Sequence, residues 1–186
     1  MKLLYALLLI ITVSCTTKQI DKIPTLPVDK STGKITYTKT VNTPGLSSAG
    51  LDERIKKWFA GNAKLFNAVS QSEIGATGKC SFLKHNVVRD EKNEAHTIDI
   101  LVSYDVFVKP VGQGAQVTLT NFSGTQSGSS IGAPIEGMYK ALKYYGGQKP
   151  DNVNTQVRPM LISILTETDT QATKVLSSLE QAISHN

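Results

Sequence analysis

Residues 35–61 read ITYTKTVNTPGLSSAGLDERIKKWFAG, and this stretch decides the fold class. Ile35, Tyr37, Lys39 and Val41 alternate with Thr36, Thr38 and Thr40, the period of a strand with one face in a core. Thr43-Pro44-Gly45 ends it, because proline fixes φ and glycine permits the left-handed region. Ser47 is placed to cap a helix, with Leu46 before it positioned to staple onto Leu51. Leu51, Ile55, Trp58 and Phe59 then recur on one helical face, and Asp52, Glu53, Lys56 and Lys57 on the other. Two adjacent elements with one apolar face each are expected to bury those faces together.

The segment before this stretch carries an address. Residues 1–14 combine a basic start at Lys2 with an apolar run over Leu3–Val13, too short for a comfortable transmembrane helix, and predict an export signal. The run ends in Ser14-Cys15, which resembles the lipobox of bacterial lipoproteins, so Cys15 is the expected lipid attachment site. Thr12 departs from the leucine usual in that motif, and an ordinary signal peptide cut elsewhere is the alternative. Several acyl chains would give firm anchoring where a single chain would not. Thr16 stands where an aspartate would resemble an inner-membrane retention signal, so the outer membrane is favoured. Residues 15–34 read as the lipidated N-terminus and a flexible tether. Fully extended, they would reach about 60 Å.

Residues 35–186 make one domain. The chain has 186 residues, 40% hydrophobic and 19% charged, with a formal charge of +5; these values suit a globular fold and do not demand an anionic partner. With Cys15 acylated, Cys80 is alone and reads as a small buried apolar residue on a strand face shared with Ile74, Ala76 and Phe82.

Strands are predicted at 74–83 and, most clearly, at 96–108, where His96, Ile98, Ile100, Val102, Tyr104, Val106 and Val108 face one way and Thr97, Asp99, Leu101, Ser103, Asp105 and Phe107 the other. Gly75 and Gly78 point to a bulge or a close backbone approach, and residues 88–94 to a charged hairpin tip. A last strand is expected at 115–122, a flexible connector at 123–134, and a helix at 135–145. A long helix from about Thr155 to Ser184 carries a nearly continuous apolar stripe; Pro159 within it calls for an N-cap at Thr155. The expected architecture is α+β: an antiparallel sheet of about five strands, helices packed on one face, and a long C-terminal helix.

Four groupings carry residues of the kinds that chemistry uses. Gly128-Ser129-Ser130-Ile131-Gly132 satisfies the pattern of a nucleophile elbow, and Asp151 or Asp169 with His185 supplies a triad order. An elbow needs a strand-to-helix turn of a parallel sheet, whereas this sheet reads antiparallel. Backbone amides near 129–135 precede a helix and suit an anion, but no Lys or Arg lies in the loop. His85 and His96 flank one hairpin without a third metal ligand. Asp99 and Asp105 lie about 20 Å apart along a strand, too far to act as a carboxylate pair. No catalytic, metal or cofactor site is therefore expected.

The order of strand, helix, further antiparallel strands and C-terminal helix is similar to a family of envelope lipoproteins from Bacteroides-type bacteria, whose domain is described as TATA-binding-protein-like. Ile35-Thr36-Tyr37, Pro44-Gly45-Leu46-Ser47, Glu53-Arg54 and Lys57-Trp58-Phe59-Ala60 carry the resemblance, which covers about residues 35–122. Ser48-Ala49-Gly50 departs from the acidic residues of the pattern. The resemblance implies a TBP-like fold and an envelope location, and no activity. Nucleic acid is not an expected partner, since duplex binding wants a basic face with apolar wedges, while Thr36, Thr38, Thr40, Asp99, Ser103 and Asp105 face outward here. The expected function is a non-catalytic binding or assembly module, held at the membrane by its acyl chains, with a protein or glycan partner at the Thr-rich face or the 123–134 loop. A serine hydrolase using Ser130 and a structural protein self-associating through its C-terminal helix are the alternatives.

Overall fold

A computed structural model of the protein describes residues 22–72, 75–89, 92–145 and 154–184. The signal segment, Cys15, Asp151 and His185 lie outside them. Strand β1 (Tyr37–Asn42) leads to helix α1 (Ser48–Gly61) and, through a 3-10 turn at Ala63–Leu65, to β2 (Phe66–Ser72). Then come β3 (Gly75–Arg89), β4 (Ala95–Val111), β5 (Gly114–Gln126) and the short β6 (Gly132–Pro134), followed by helices α2 (Ile135–Tyr145) and α3 (Asn154–Ser184). The sheet is antiparallel with order β1-β5-β4-β3-β2, and β6 also pairs with β5. The fold is α+β, as the alternation and the helical stripes predict.

The opening stretch forms as its residues dictate. Ser47 has extended backbone and its hydroxyl accepts the Gly50 amide, closing the first turn of α1. Leu51, Ile55, Trp58 and Phe59 are buried. Trp58 also donates its indole N–H to Ser178 Oγ of α3 at 3.0 Å. Ile35, Tyr37 and Val41 point into the same core, and Lys39, on that face too, reaches the rim and pairs with Glu180 of α3. Trp58 meets Phe59 and Phe66 edge to face, those two rings are tilted against each other, and Gly78 lies beneath them: a Cβ there would come within 2.5 Å of the Phe66 ring. At Gly75, with φ +138°, a Cβ would meet the Val108 carbonyl oxygen at 2.2 Å. Both glycines mark close approach.

In α3, Ile162, Ile164, Leu165, Thr168, Ala172, Val175, Leu179 and Ile183 are buried and Leu161 and Leu176 half-buried, so the stripe lies across the domain's own sheet. Val157 is exposed. The helix already includes Asn154, which puts Thr155 inside it and not at its N-cap; Pro159 lies beyond the first turn.

Three boundaries differ from the sequence reading. The strands reach farther into the charged segment, since β3 runs through Val88 to Arg89 and β4 begins at Ala95. The segment 123–134 is a hairpin, with β5 continuing to Gln126 and Ser123, Gly124 and Thr125 pairing with β6. Six strands result. Lastly, the stretch taken as free tether is laid on the domain from Leu26 onward. Leu26 is buried, its amide meets the Tyr139 hydroxyl, Thr36 donates its amide to the Pro27 carbonyl, and Val28 bridges Ile35. Burying one leucine and recovering backbone hydrogen bonds outweighs the tether's freedom, so the domain edge lies nearer Leu26 than Ile35.

A bulge organises β5. Asp105 of β4 pairs with Thr120, but Ser103 pairs with Ser123, so one extra residue sits on β5. Asn121 takes it up at φ +57°. The inward phase consequently switches from Ala115, Val117 and Leu119 to Phe122 and Gly124. A Cβ on Gly124 would lie 3.1 Å from Met138 and 3.3 Å from Ile135, which is what lets α2 rest on this strand.

Candidate functional site

All three helices lie against one side of the sheet, and the opposite side is open. Cross-strand pairing arranges the open side in rows. Thr38, Thr118, Phe107, Thr77 and Ser70 form one row across all five strands, and Thr120, Asp105, Lys79 and Ala68 form the next. Beyond them run Ser123, Ser103 and Ser81, then Thr125, Leu101 and Leu83. The hydroxyls bond to one another across strands: Thr36 to Thr120 at 3.1 Å and Ser103 to Ser123 at 2.9 Å. Leu83 and Leu101 face each other directly and are 49% and 42% exposed, and Phe107 is 38% exposed. The surface is thus a hydroxyl field broken by apolar islands, with Val87 and Val111 exposed on the same phase.

Its charges are few and locally matched. Lys79 pairs in register with Asp105. Asn121 donates to Asp105 at 2.8 Å and accepts Lys34 Nζ at 2.7 Å, so the bulge residue links a lysine to an aspartate. His85 Nδ1 lies 2.7 Å from Asp99 Oδ1, an ion pair only when the histidine is protonated. A shallow depression of about 310 Å³ includes Phe107, Thr77, Ser70, Lys79 and Asp105, and a second of like volume lies by Lys34, Asn121, Ser123 and Glu136. The larger hollow, about 820 Å³, is on the helix side between α1 and the end of α3. There Arg54 donates to the Ile183 carbonyl at 2.7 Å.

The sequence-predicted groups fall apart or together as follows. Ser129 and Ser130 lie in the tight turn joining β5 to β6, with the Ser129 amide bonded to the Gln126 carbonyl and its hydroxyl accepting the Ile131 amide. This is an antiparallel turn, not a strand-to-helix elbow. The Ser127 amide binds the Asp99 carbonyl, while His185, the histidine of the triad order, lies outside the described residues. Asp169 accepts the Tyr37 hydroxyl at 2.8 Å on the helix side. His85 and His96 belong to opposite faces: His85 is opposite Asp99, and His96 is in phase with the inward Ile98 and Ile100. Among the described residues no three His, Cys, Asp or Glu side chains are grouped to hold a metal ion. Cys80 is buried beside Tyr104, and burial pushes its thiol up to about 11; the Tyr104 hydroxyl is raised likewise. The thiol is therefore in its unreactive form at neutral pH.

What the sequence reading missed is Asn121 and the Leu83–Leu101 pair. Leu101 stands on an outward phase in the sequence, but its pairing with Leu83 depends on the register of β3 against β4, and a positive-φ asparagine leaves no periodic signal.

The covered and open faces, the strand order and the long C-terminal helix define an α+β protein with a TBP-like sheet. The chain is similar to a DUF4468 family protein from Bacteroides ovatus, at 18% identity and TM-score 0.61, over 90% of this chain and 95% of that one. It is also similar to a TBP-like protein from Parabacteroides distasonis, at 10% identity and TM-score 0.51, over 83% of this chain and 97% of that one. No family model matches the sequence, and no curated protein matches it. At these identities the likeness is one of fold.

Proposed function

We propose that the protein is an exported module, lipidated at Cys15 and held at the outer membrane, that binds a protein partner on the open face of its sheet without performing chemistry. One observation carries the reading: three helices crowd one side of the sheet, while the other leaves Leu83, Leu101 and Phe107 exposed among Ser and Thr hydroxyls. Such a mixture suits a protein surface, where apolar anchors sit among adaptable hydrogen-bonding groups. With Lys79 set opposite Asp105 and Asp99 on the same face, the surface lacks the basic field that a phosphate backbone requires. The apolar stripe of α3 is spent on its own sheet, which leaves the self-association reading without that surface. No helix among the described residues is long and apolar enough to cross a membrane, so the attachment proposed is the acyl chains.

A photo-crosslinking amino acid in place of Leu101 tests the reading in intact cells. A defined adduct protein from position 101, and none from exposed Lys56 on the helix side, is the expected result; a glycan adduct, or equal labelling from both positions, overturns it. Replacing Cys15 with serine should release the protein from the membrane fraction.

A further inference from the structure

The docked segment and helix α2 share one corner of the domain, and from that corner the chain leads back to Cys15. Glu136 of α2 accepts the Ile35 amide at 2.8 Å, and the Tyr139 hydroxyl accepts the Leu26 amide. Helical spacing puts Glu136, Lys140 and Lys143 on the α2 face that meets the segment, and Lys143 Nζ lies 4.5 Å from the centre of the Tyr139 ring. Lys22, four residues before Leu26, and Lys30 are exposed, as are Lys140 and Lys143. Among the described residues no carboxylate forms an ion pair with any of these four lysines. The corner's two acids hold backbone amides: Glu136 that of Ile35, and Asp29 those of Ser31 and Thr32 inside its own turn. Lys34 is held by Asn121 and is not part of the group. Four lysines thus stand against two carboxylates.

We infer that this corner is the surface the protein turns toward the membrane, its lysines meeting the phosphates of anionic lipid headgroups. The inference rests on the proposed anchoring at Cys15 and adds the orientation that such an anchor leaves open. Chain length argues for a lipid surface as the occupant. Leu26 is buried and Ile23 packs on the core, so residues 16–21 alone join Cys15 to Lys22, a reach of about 25 Å. That is shorter than the domain itself, roughly 40 Å across, and it keeps this corner close to the headgroups. Residues 16–21 hold one lysine and one aspartate and leave the charge balance unchanged. Clustered lysines beside an anchor gain from the negative potential of a leaflet holding anionic lipids, and the gain fades beyond a Debye length, about 10 Å at 0.1 M salt. Orientation follows. β1 and β6 form the sheet edge beside the corner, and β2 is the opposite edge, four strand spacings or about 19 Å away. With the corner against the headgroups the sheet stands edge-on, and lipid does not cover its open face.

The lipidated protein, reconstituted into vesicles of phosphatidylcholine alone or with phosphatidylglycerol added, tests it. A fluorophore is placed on Gly137→Cys of α2, where a side chain meets open space, or on Ser70→Cys of β2; buried Cys80 stays unlabelled. Quenching by nitroxide-bearing headgroups should be several-fold stronger at 137 than at 70 with phosphatidylglycerol present, and should fall toward equality without it. Lys22→Glu with Lys140→Glu should bring 137 down to the level of 70, and the milder Lys22→Gln with Lys140→Gln should do so in part. Lys57→Glu with Lys64→Glu, an equal change of charge on the α1 side, should leave 137 as it was. An unfolding transition shared by all three variants separates a lost contact from a lost fold. Inorganic phosphate should loosen the contact no more than sodium chloride of equal ionic strength; a larger effect marks a free-anion site and overturns the inference. Vesicle-bound protein quenched alike at both positions in phosphatidylglycerol overturns it and leaves the anchoring intact. Protein that lacks acyl mass on Cys15 and does not float with vesicles removes the anchoring, and this inference with it.

Discussion

The two faces of this sheet are made by the same strands, one residue apart, and they do different work. Val106 is fully buried and Phe107, next to it, is 38% exposed; Val117 is fully buried and Thr118 is not. On the covered face branched aliphatics and aromatic rings interlock with α1, α2 and α3. On the open face hydroxyls satisfy one another across strands, and the exposed leucines touch water. Stability is concentrated on the first side. The second is released from that duty, and is free to be shaped by what it meets.

Large-to-small substitutions should separate the faces most sharply. Leu119→Ala, on the covered side, is expected to cost about 2–5 kcal/mol in urea unfolding, and Leu101→Ala, on the open side, to stay within about 0.5 kcal/mol. Equal losses would erase the distinction. Gly78→Ala should cost about 1–3 kcal/mol, since its methyl would enter the Phe66 and Phe59 rings, while Thr77→Ala beside it is nearly silent. Ser47→Ala removes the cap of α1 and should cost about 1 kcal/mol, read as a small drop in midpoint with unchanged slope.

The pH profile sharpens the contrast last. The Cys80 thiol has an ordinary value of 9.0 and is pushed to about 11 by burial. Between those values the unfolded chain has released a proton that the folded chain retains, so stability is intact below about pH 9 and falls as pH rises toward 11. Tyr37 and Tyr104 are also raised by burial and steepen the fall above about pH 10. Cys80→Ala should flatten the first part of that curve; an unchanged slope below pH 10 would place the thiol in water.

The β1–α1 unit was legible in the sequence because each of its features is local: a period of two, a Pro-Gly stop, a serine cap, a period of 3.6. The faces of β4 were legible for the same reason. Composition misled at 123–134, where Gly and Ser read as a loose connector. Gly124 is there because α2 leaves no room for a side chain, a fact that depends on Met138 and Ile135 and not on its neighbours in sequence. The phase change at Asn121 was hidden because one left-handed residue shifts every later side chain without altering composition. The candidate surface was half visible: its threonines were read correctly, while the apolar pair at Leu83 and Leu101 needed the register of β3 against β4 to come together.

The docked segment from Leu26 to Ile35 has a mechanical consequence. A pull on the N-terminus reaches Leu26 before it reaches the sheet, and only the Val28–Ile35 bridge and a few backbone bonds around it would have to part. About ten residues would then uncoil, adding some 30 Å of slack before β1 bears any load. A segment held by so few bonds should yield before the ladder behind it.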